Sequence, residues 1–80
     1  MVEAQIKQVD RIRRTVLVTT TDGKELSLRI GDDTNIEIME LETAGEEPGS
    51  LEDLQEGYMV EVEYSEADSG SACHSLVCIS

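Results

Sequence analysis

The chain contains no phenylalanine and no tryptophan, and Tyr58 and Tyr64 are its two aromatic residues. We therefore expect a core of valine, isoleucine, leucine and methionine, whose packing depends on aliphatic shapes rather than on large rings. Proteins that bind single-stranded nucleic acid on barrels of this size use stacking aromatics and a basic groove. Two tyrosines are too few for such a surface, and we expect no nucleic-acid partner.

Lysine and arginine are absent after Arg29. The first 30 residues hold all six basic residues with four acids, a net charge of +2, whereas the rest of the chain holds fourteen acids, a net charge of −14. The total of −12 opposes binding to phosphate backbones and to anionic membrane surfaces. An acidic surface for a basic protein partner or for cations is the functional interpretation, and a solvated surface that only confers solubility is the alternative.

Long apolar segments are also missing. No stretch approaches the roughly 20 apolar residues that span a bilayer. Residues 1–5 lack the basic start and the apolar run of a signal peptide. We therefore predict a cytoplasmic location, although a mature exported domain that begins with a new methionine would look the same. Residues 1–80 are expected to form one small domain and to act as a monomer.

Alternation of apolar and polar residues predicts strands over residues 2–9, 15–21 and 24–30. Asp22-Gly23 separates the second strand from the third. This dipeptide between two alternating segments predicts a hairpin with a two-residue type I′ turn. The residues that we expect to face the core on these two strands are Val16, Val18, Thr20, Leu26, Leu28 and Ile30.

A short helix is predicted in the middle of the chain. Gly31-Asp32-Asp33 is interpreted as a turn, residues 34–42 as a short extra strand and residues 43–49 as a loop. Ser50 then has the position of a helix N-cap, and Gly57 can end a helix of one to two turns in the left-handed conformation.

Two strands close the chain, over residues 58–64 and 72–79, with a hairpin loop over residues 65–71. A helix before the penultimate strand of a small antiparallel barrel is the arrangement of an OB-like fold. The predicted class is therefore all-β with one short helix, in an OB-like barrel of five to six strands. An SH3-like barrel is the alternative.

Several segments resemble a known family of small domains. They are Thr15–Thr20, Asp22-Gly23-Lys24, Asp33-Thr34-Asn35-Ile36, the helical segment Ser50-Leu51-Glu52-Asp53-Leu54-Gln55-Glu56-Gly57, and Val60-Glu61-Val62-Glu63-Tyr64. This pattern is similar to the small OB-like barrel domains of unknown function that recur in bacterial, often exported, proteins, and it covers about residues 12–65. The resemblance implies an OB-like fold and transfers no catalytic residue.

Cys73, His74 and Cys78 are the soft metal ligands of the chain. A structural zinc site usually takes four such ligands, and this segment offers three. In a regular strand Cys73 and Cys78 would point to opposite faces and lie too far apart for a disulfide unless a bulge intervened. A structural role is favoured, with Cys73 on the same face as Val77 and Ile79. Metal binding and an intermolecular disulfide are the alternatives.

Arg11, Arg13 and Arg14 form the one basic cluster and are candidates for an interaction site, as are Tyr58 and Tyr64. A site for phosphate or for an acidic partner is one interpretation of the arginines. We favour an internal one, because the first strand of an OB-like barrel lies beside the strand that carries the acids at 61 and 63, which the arginines would balance.

Other carboxylates offer weaker sites. The Asp32-to-Asn35 segment lacks the alternating ligands of a calcium-binding loop, and capping of a turn is the favoured interpretation. The acids at 46–47 and 52–53 are interpreted as solvated rather than as a cation site. His74 is the single histidine, and on a strand it points away from the cysteine before it, so no catalytic pair forms locally.

The function predicted from the sequence is that of a non-enzymatic interaction module without a cofactor, which engages a protein partner through its acidic surface or a strand edge. A cation- or metal-binding module that uses carboxylates with Cys73, His74 and Cys78 is the alternative.

Overall fold

The computed structural model describes residues 2–39, 46–67 and 70–79, which form strands and one turn of 3-10 helix. The elements are β1 Val2–Asp10, β2 Thr15–Thr20, β3 Glu25–Met39, β4 Glu46–Pro48, the 3-10 turn Leu51–Asp53, β5 Met59–Ala67 and β6 Gly70–Cys78. No helix within these ranges is long and apolar enough to cross a membrane.

Five strands close into a barrel. β1 pairs with β2 and with β5, β2 also pairs with β3, and β5 pairs with β6. Parallel pairing of β3 with β6 completes the circuit, and the other pairings are antiparallel. The 3-10 turn lies between the third and the fourth strands of the barrel, which is where an OB-like fold carries its helix. The predicted small all-β, OB-like barrel is confirmed, and the SH3-like alternative is not the one adopted.

The barrel interior is aliphatic, as the lack of large aromatics predicts. Every barrel strand and the segment around the 3-10 turn contribute to it. The buried apolar residues are Ala4, Ile6, Val16, Val18, Leu26, Leu28, Ile30, Ile36, Leu51, Leu54, Val60, Val62, Cys73, Leu76 and Cys78. Methionine was expected there as well, but Met39 is exposed and Met59 is half-buried. Two cysteines instead occupy interior positions as small apolar side chains.

The first hairpin has the expected inward residues but a different turn. Gly23 has a φ of 89°, whereas Asp22 does not lie in the positive-φ region that a type I′ turn needs at both positions. The amide of Gly23 donates to the Thr20 carbonyl at 2.9 Å, and the amide of Thr20 donates to the Lys24 carbonyl at 2.8 Å. The loop therefore has three residues, 21–23, and ends in a left-handed glycine.

Alternation on the two strands explains why the predicted two-residue turn is wrong. The observed register places Val18 opposite Leu26. A two-residue turn would shift that register by one residue and set Val18 opposite Ser27, on the solvent side. The loop also has its own hydrogen bond, from the Thr20 hydroxyl to Asp22, which lowers the pKa of that carboxyl below its usual range.

The predicted turn at Gly31-Asp32-Asp33 is also wrong, because β3 continues through it as a bulge. In the pairing of β3 with β6, Ile30 lies opposite Cys73 and Asn35 lies opposite Ser75, so residues 31–34 face His74 alone. The Thr34 hydroxyl donates to the Cys73 carbonyl at 2.6 Å and accepts from the Gly31 amide at 2.9 Å. The expected extra strand is thus the second half of β3.

The segment predicted as a loop before the helix contains a strand. β4 pairs with the end of β3, and Pro48 lies opposite Glu37. Residues 40–45 lie outside the described ranges.

The predicted helix is a single 3-10 turn. Ser50 precedes it as expected, and its amide donates to the Asp53 carboxylate at 2.8 Å. Leu54 is already extended, with a ψ of 138°, so the helix ends before Gly57. Gly57 has a φ of 93° and lies in a separate turn, in which the Tyr58 amide donates to the Gln55 carbonyl at 3.3 Å. The turn buries Leu51, and Leu54 directly after it is buried as well, so packing holds this segment in place.

The last hairpin is tighter than predicted. Most of the segment expected as a loop, residues 65–71, belongs to the strands, and Ala67 pairs with Gly70. Residues 68–69 lie outside the described ranges.

Candidate functional site

Four glutamates lie on one outer surface of the barrel, which we call the acidic face: Glu3, Glu37, Glu61 and Glu63. Strand periodicity places them there, since the fully buried Val60 and Val62 alternate with the two glutamates that β5 contributes to this face. Pairing of β1, β5, β6 and β3 then brings the four side chains, which are far apart in sequence, onto neighbouring strands.

Two of these glutamates are directly opposed. Glu3 of β1 lies opposite Glu61 of β5. Like charges at opposed positions of an antiparallel pair destabilise the sheet. The ion pairs among the described residues are Arg14–Asp32 and Lys24–Glu66, so none of them neutralises the acidic face.

The acidic face has an apolar centre. Val77 of β6 lies between Glu61 of β5 and Glu37 of β3 in the strand register, and it is half-buried. Met59 lies two residues before Glu61 and is half-buried too, while Met39, two residues after Glu37, is 38% exposed. Apolar side chains surrounded by acids suit contact with a partner surface that is both apolar and basic.

A second feature lies at the β3 bulge, where an open cleft of about 480 Å³ contains Arg13, Arg14 and Arg29. We call it the arginine cleft. Its other polar lining residues are Asp32, Asp33, Thr34 and His74. The loop after β1 carries the first two arginines, and Arg29 projects outward from β3, between the buried Leu28 and Ile30.

Local hydrogen bonds hold the loop that carries these arginines. One carboxylate oxygen of Asp10 accepts from the amides of Ile12 and Arg13, at 3.1 and 3.0 Å. Arg14 has a φ of 55°, a region that residues other than glycine rarely adopt. Its Nε donates to the Ile30 carbonyl at 3.1 Å, and its own carbonyl accepts from the Ile30 amide at 2.8 Å.

The predicted arginine cluster is divided by the fold. Arg11 and Arg14 line a smaller cleft beside the 3-10 turn, while Arg13 and Arg14 line the arginine cleft. The expected neighbourhood of β1 and β5 is confirmed. The expectation that these arginines balance the acids of β5 is wrong, because the ion pair of Arg14 is with Asp32, at 3.9 Å.

The soft ligands do not converge. The bulge at His74 sends Cys73 and Cys78 to the interior, so the prediction that Cys73 shares a face with Val77 and Ile79 is wrong. His74 is exposed, and its Nε2 lies 2.8 Å from the Ser65 hydroxyl. No group of three or more histidine, cysteine, aspartate or glutamate side chains in the described ranges is placed to hold a metal ion.

Burial makes Cys73 a poor nucleophile. It raises the pKa of the Cys73 thiol to about 11, although a hydrogen bond with the Ser75 backbone opposes the shift. The thiolate is the reactive form, and it is scarce at neutral pH when the pKa is that high. No disulfide joins Cys73 to Cys78.

The two tyrosines are partly structural. Tyr58 and Tyr64 are half-buried and pack against the core, and the Tyr58 carbonyl accepts from the Ile6 amide at 2.9 Å. Neither Arg29 as a site residue nor the opposition of Glu3 and Glu61 was predicted from the sequence. Alternation on β3 and β5 indicates that Arg29 and Glu61 point outward, but only the strand pairing identifies their neighbours.

Comparison with known proteins adds no family assignment: no family model matches the chain, and no curated protein is significantly similar to it. The class of molecule defined here is a small OB-like barrel with an acidic face and an arginine cleft.

Proposed function

We propose that this protein is a monomeric, non-enzymatic binding module whose acidic face engages a basic protein partner. The observation that carries the proposal is the opposition of Glu3 and Glu61. This arrangement lowers the stability of the isolated barrel, and a basic partner that contacts both carboxylates would remove the repulsion.

The apolar centre supports the same proposal. Val77 and Met59 give a partner apolar area to bury beside the charged groups. A surface that served solubility alone would gain nothing from apolar residues among its carboxylates. The long-range field of a chain with a net charge of −12 also attracts basic proteins and speeds their association.

Strand addition is the weaker way to bind a partner here. Barrel closure leaves few exposed edges, and β4 lies at the end of the strand order. β4 is three residues long and includes Pro48, which has no amide hydrogen to donate to an added strand. The acidic face is therefore the better candidate surface.

The experiment separates a binding surface from a solvated one by measuring stability and binding on the same variants. Glu61→Gln removes the like-charge opposition and should stabilise the free domain by about 0.2–1 kcal/mol. Glu61→Lys should abolish partner binding. Glu25→Gln, at an exposed position of β3 opposite Thr19, is the matched control.

Each variant is immobilised, and proteins retained from an extract of the native host are identified and quantified. We expect a basic protein to be retained by the wild type and by Glu25→Gln, to be lost with Glu61→Lys, and to elute as salt rises. Retention of the same proteins by the wild type, Glu25→Gln and Glu61→Lys would contradict the proposal. So would the absence of any protein that distinguishes the wild type from Glu61→Lys.

A further inference from the structure

The arginine cleft is separate from the acidic face and is not explained by the proposed function. We infer that it binds a single phosphate group of a small molecule. The inference does not depend on the acidic face, and its test can fail or succeed independently of the partner experiment.

Unused hydrogen-bond donors are the first argument. Each arginine side chain has five N–H donors and no acceptor. The Nε of Arg14 donates to the Ile30 carbonyl, which leaves the terminal N–H groups of the side chain for a ligand. Their ion-pair partner, Asp32, lies 3.9 Å away and is fully exposed. Exposed pairs of this kind are weak and easily exchanged. No ion-pair partner of Arg13 or Arg29 is found in the described ranges.

The backbone at Arg14 is the second argument. A left-handed conformation is unfavourable for a residue with a side chain, because its Cβ lies too close to the following carbonyl oxygen, whereas glycine adopts it freely. Glycine would adopt this conformation at a lower conformational free energy, but it would remove the arginine from the cleft. Strained residues concentrate at binding sites, where the surrounding structure holds them in place. Here two hydrogen bonds to Ile30 hold Arg14, one from its side chain and one to its backbone carbonyl.

The donors of the cleft also match the oxygens of a phosphate group. Three arginines offer more donors than the two oxygens of a carboxylate can accept, whereas a phosphate group presents more oxygens and binds arginine in a bidentate manner. Thr34 and His74 already have partners in Cys73 and Ser65, so the arginines are the donors available for a ligand.

The lining also limits the size and charge of the ligand. Asp32 and Asp33 offset two of the three arginine charges and would repel a second anionic group. Neither tyrosine lines the cleft, so a nucleobase lacks the large aromatic surface on which bases usually stack in such sites. A volume of about 480 Å³ lies within the range of small-molecule sites. These features favour a small phosphate-bearing molecule over a nucleic acid.

The test is a ¹H–¹⁵N NMR titration with inorganic phosphate at pH 7 and constant ionic strength, with acetate and a short single-stranded DNA as comparison ligands. Variants are Arg13→Gln, Arg29→Gln and the control Lys24→Gln, whose lysine lies outside the cleft and pairs with Glu66. The spectrum of each variant also reports whether it is folded. Arg13, on an exposed loop, serves as the second position if Arg29→Gln unfolds the barrel.

We expect saturable shifts at residues 13–14, 29–34 and 72–74, with affinity reduced about tenfold by either arginine substitution and unchanged by Lys24→Gln. Shifts that do not saturate, or that saturate with unchanged affinity in both arginine variants, would overturn the inference. Acetate binding as tightly as phosphate would reassign the cleft to carboxylates, and DNA binding more tightly than phosphate would reassign it to nucleic acid. Either result refutes the inference as stated.

Discussion

Thr34 should be the most informative single position in the fold, because its hydroxyl joins the two sides of the β3 bulge. The hydroxyl donates to the Cys73 carbonyl at 2.6 Å and accepts from the Gly31 amide at 2.9 Å. Thr34→Val keeps the shape of the side chain and removes both bonds. At about 0.5–1.5 kcal/mol for each hydrogen bond, the loss should be about 1–3 kcal/mol.

That loss is large for a domain of this size, whose total stability we expect to be on the order of 5 kcal/mol. In a domain of 60–100 residues, 1 kcal/mol corresponds to a shift in Tm of about 4–8 °C. A loss of about 2 kcal/mol should therefore lower Tm by about 8–16 °C. Urea denaturation of the same variant should move the midpoint without changing the slope.

Thr34→Ser is the matched control, since it retains the hydroxyl and loses only a methyl group. It should remain clearly more stable than Thr34→Val. This prediction is refuted if the free energy of unfolding of Thr34→Val lies within about 0.3 kcal/mol of the wild-type value. Equal losses for the serine and valine variants would also refute it, because the effect would then come from packing rather than from the two hydrogen bonds.

Three further predictions concern the turn, the core and a buried thiol. Gly23→Val should cost about 1–2 kcal/mol from backbone strain alone, because a Cβ there meets nothing within 4 Å; Gly23→Asn should lose less in urea denaturation, and equal losses would contradict the turn geometry. Leu54→Ala should cost about 2–5 kcal/mol, since Leu54 is fully buried, while the exposed Gln55→Ala should be nearly neutral by thermal denaturation. Burial raises the pKa of Cys73 from 9.0 to about 11, so the unfolded chain loses this proton first. Stability from this group is full below about pH 9 and falls as pH rises toward 11. The urea midpoint of the wild type should therefore fall more steeply over this interval than that of Cys73→Ala, and parallel profiles would contradict the prediction.

Local alternation predicted which side chains enter the barrel. Val16, Val18 and Thr20 face inward with Leu26 and Leu28, as their spacing indicates. The same pattern also indicated a loop with an odd number of residues. With an even number, the inward residues of one strand would lie opposite the outward residues of the other. The Asp-Gly signal for a two-residue turn was the weaker evidence. Fold class followed from the order of these elements.

Segments were mispredicted where distant parts of the chain decide the backbone. Gly31-Asp32-Asp33 has the composition of a turn, but pairing with β6 keeps it in the sheet as a bulge. The helix shortens to one 3-10 turn because Leu54 must reach the core. Local preferences in both segments are small compared with the burial of apolar side chains and the pairing of backbone groups.

The sequence by itself determined the aliphatic core, the inward and outward sides of the two strands of the first hairpin, the barrel class and the separation of charge along the chain. Those properties depend on side-chain type and on a period of two residues, which are local. Tertiary structure alone decided that Glu3 opposes Glu61, that Arg29 joins the arginines of the first loop, and that a bulge at His74 sends both cysteines inward. These depend on register between strands that are distant in sequence, and register is set by packing of the whole barrel.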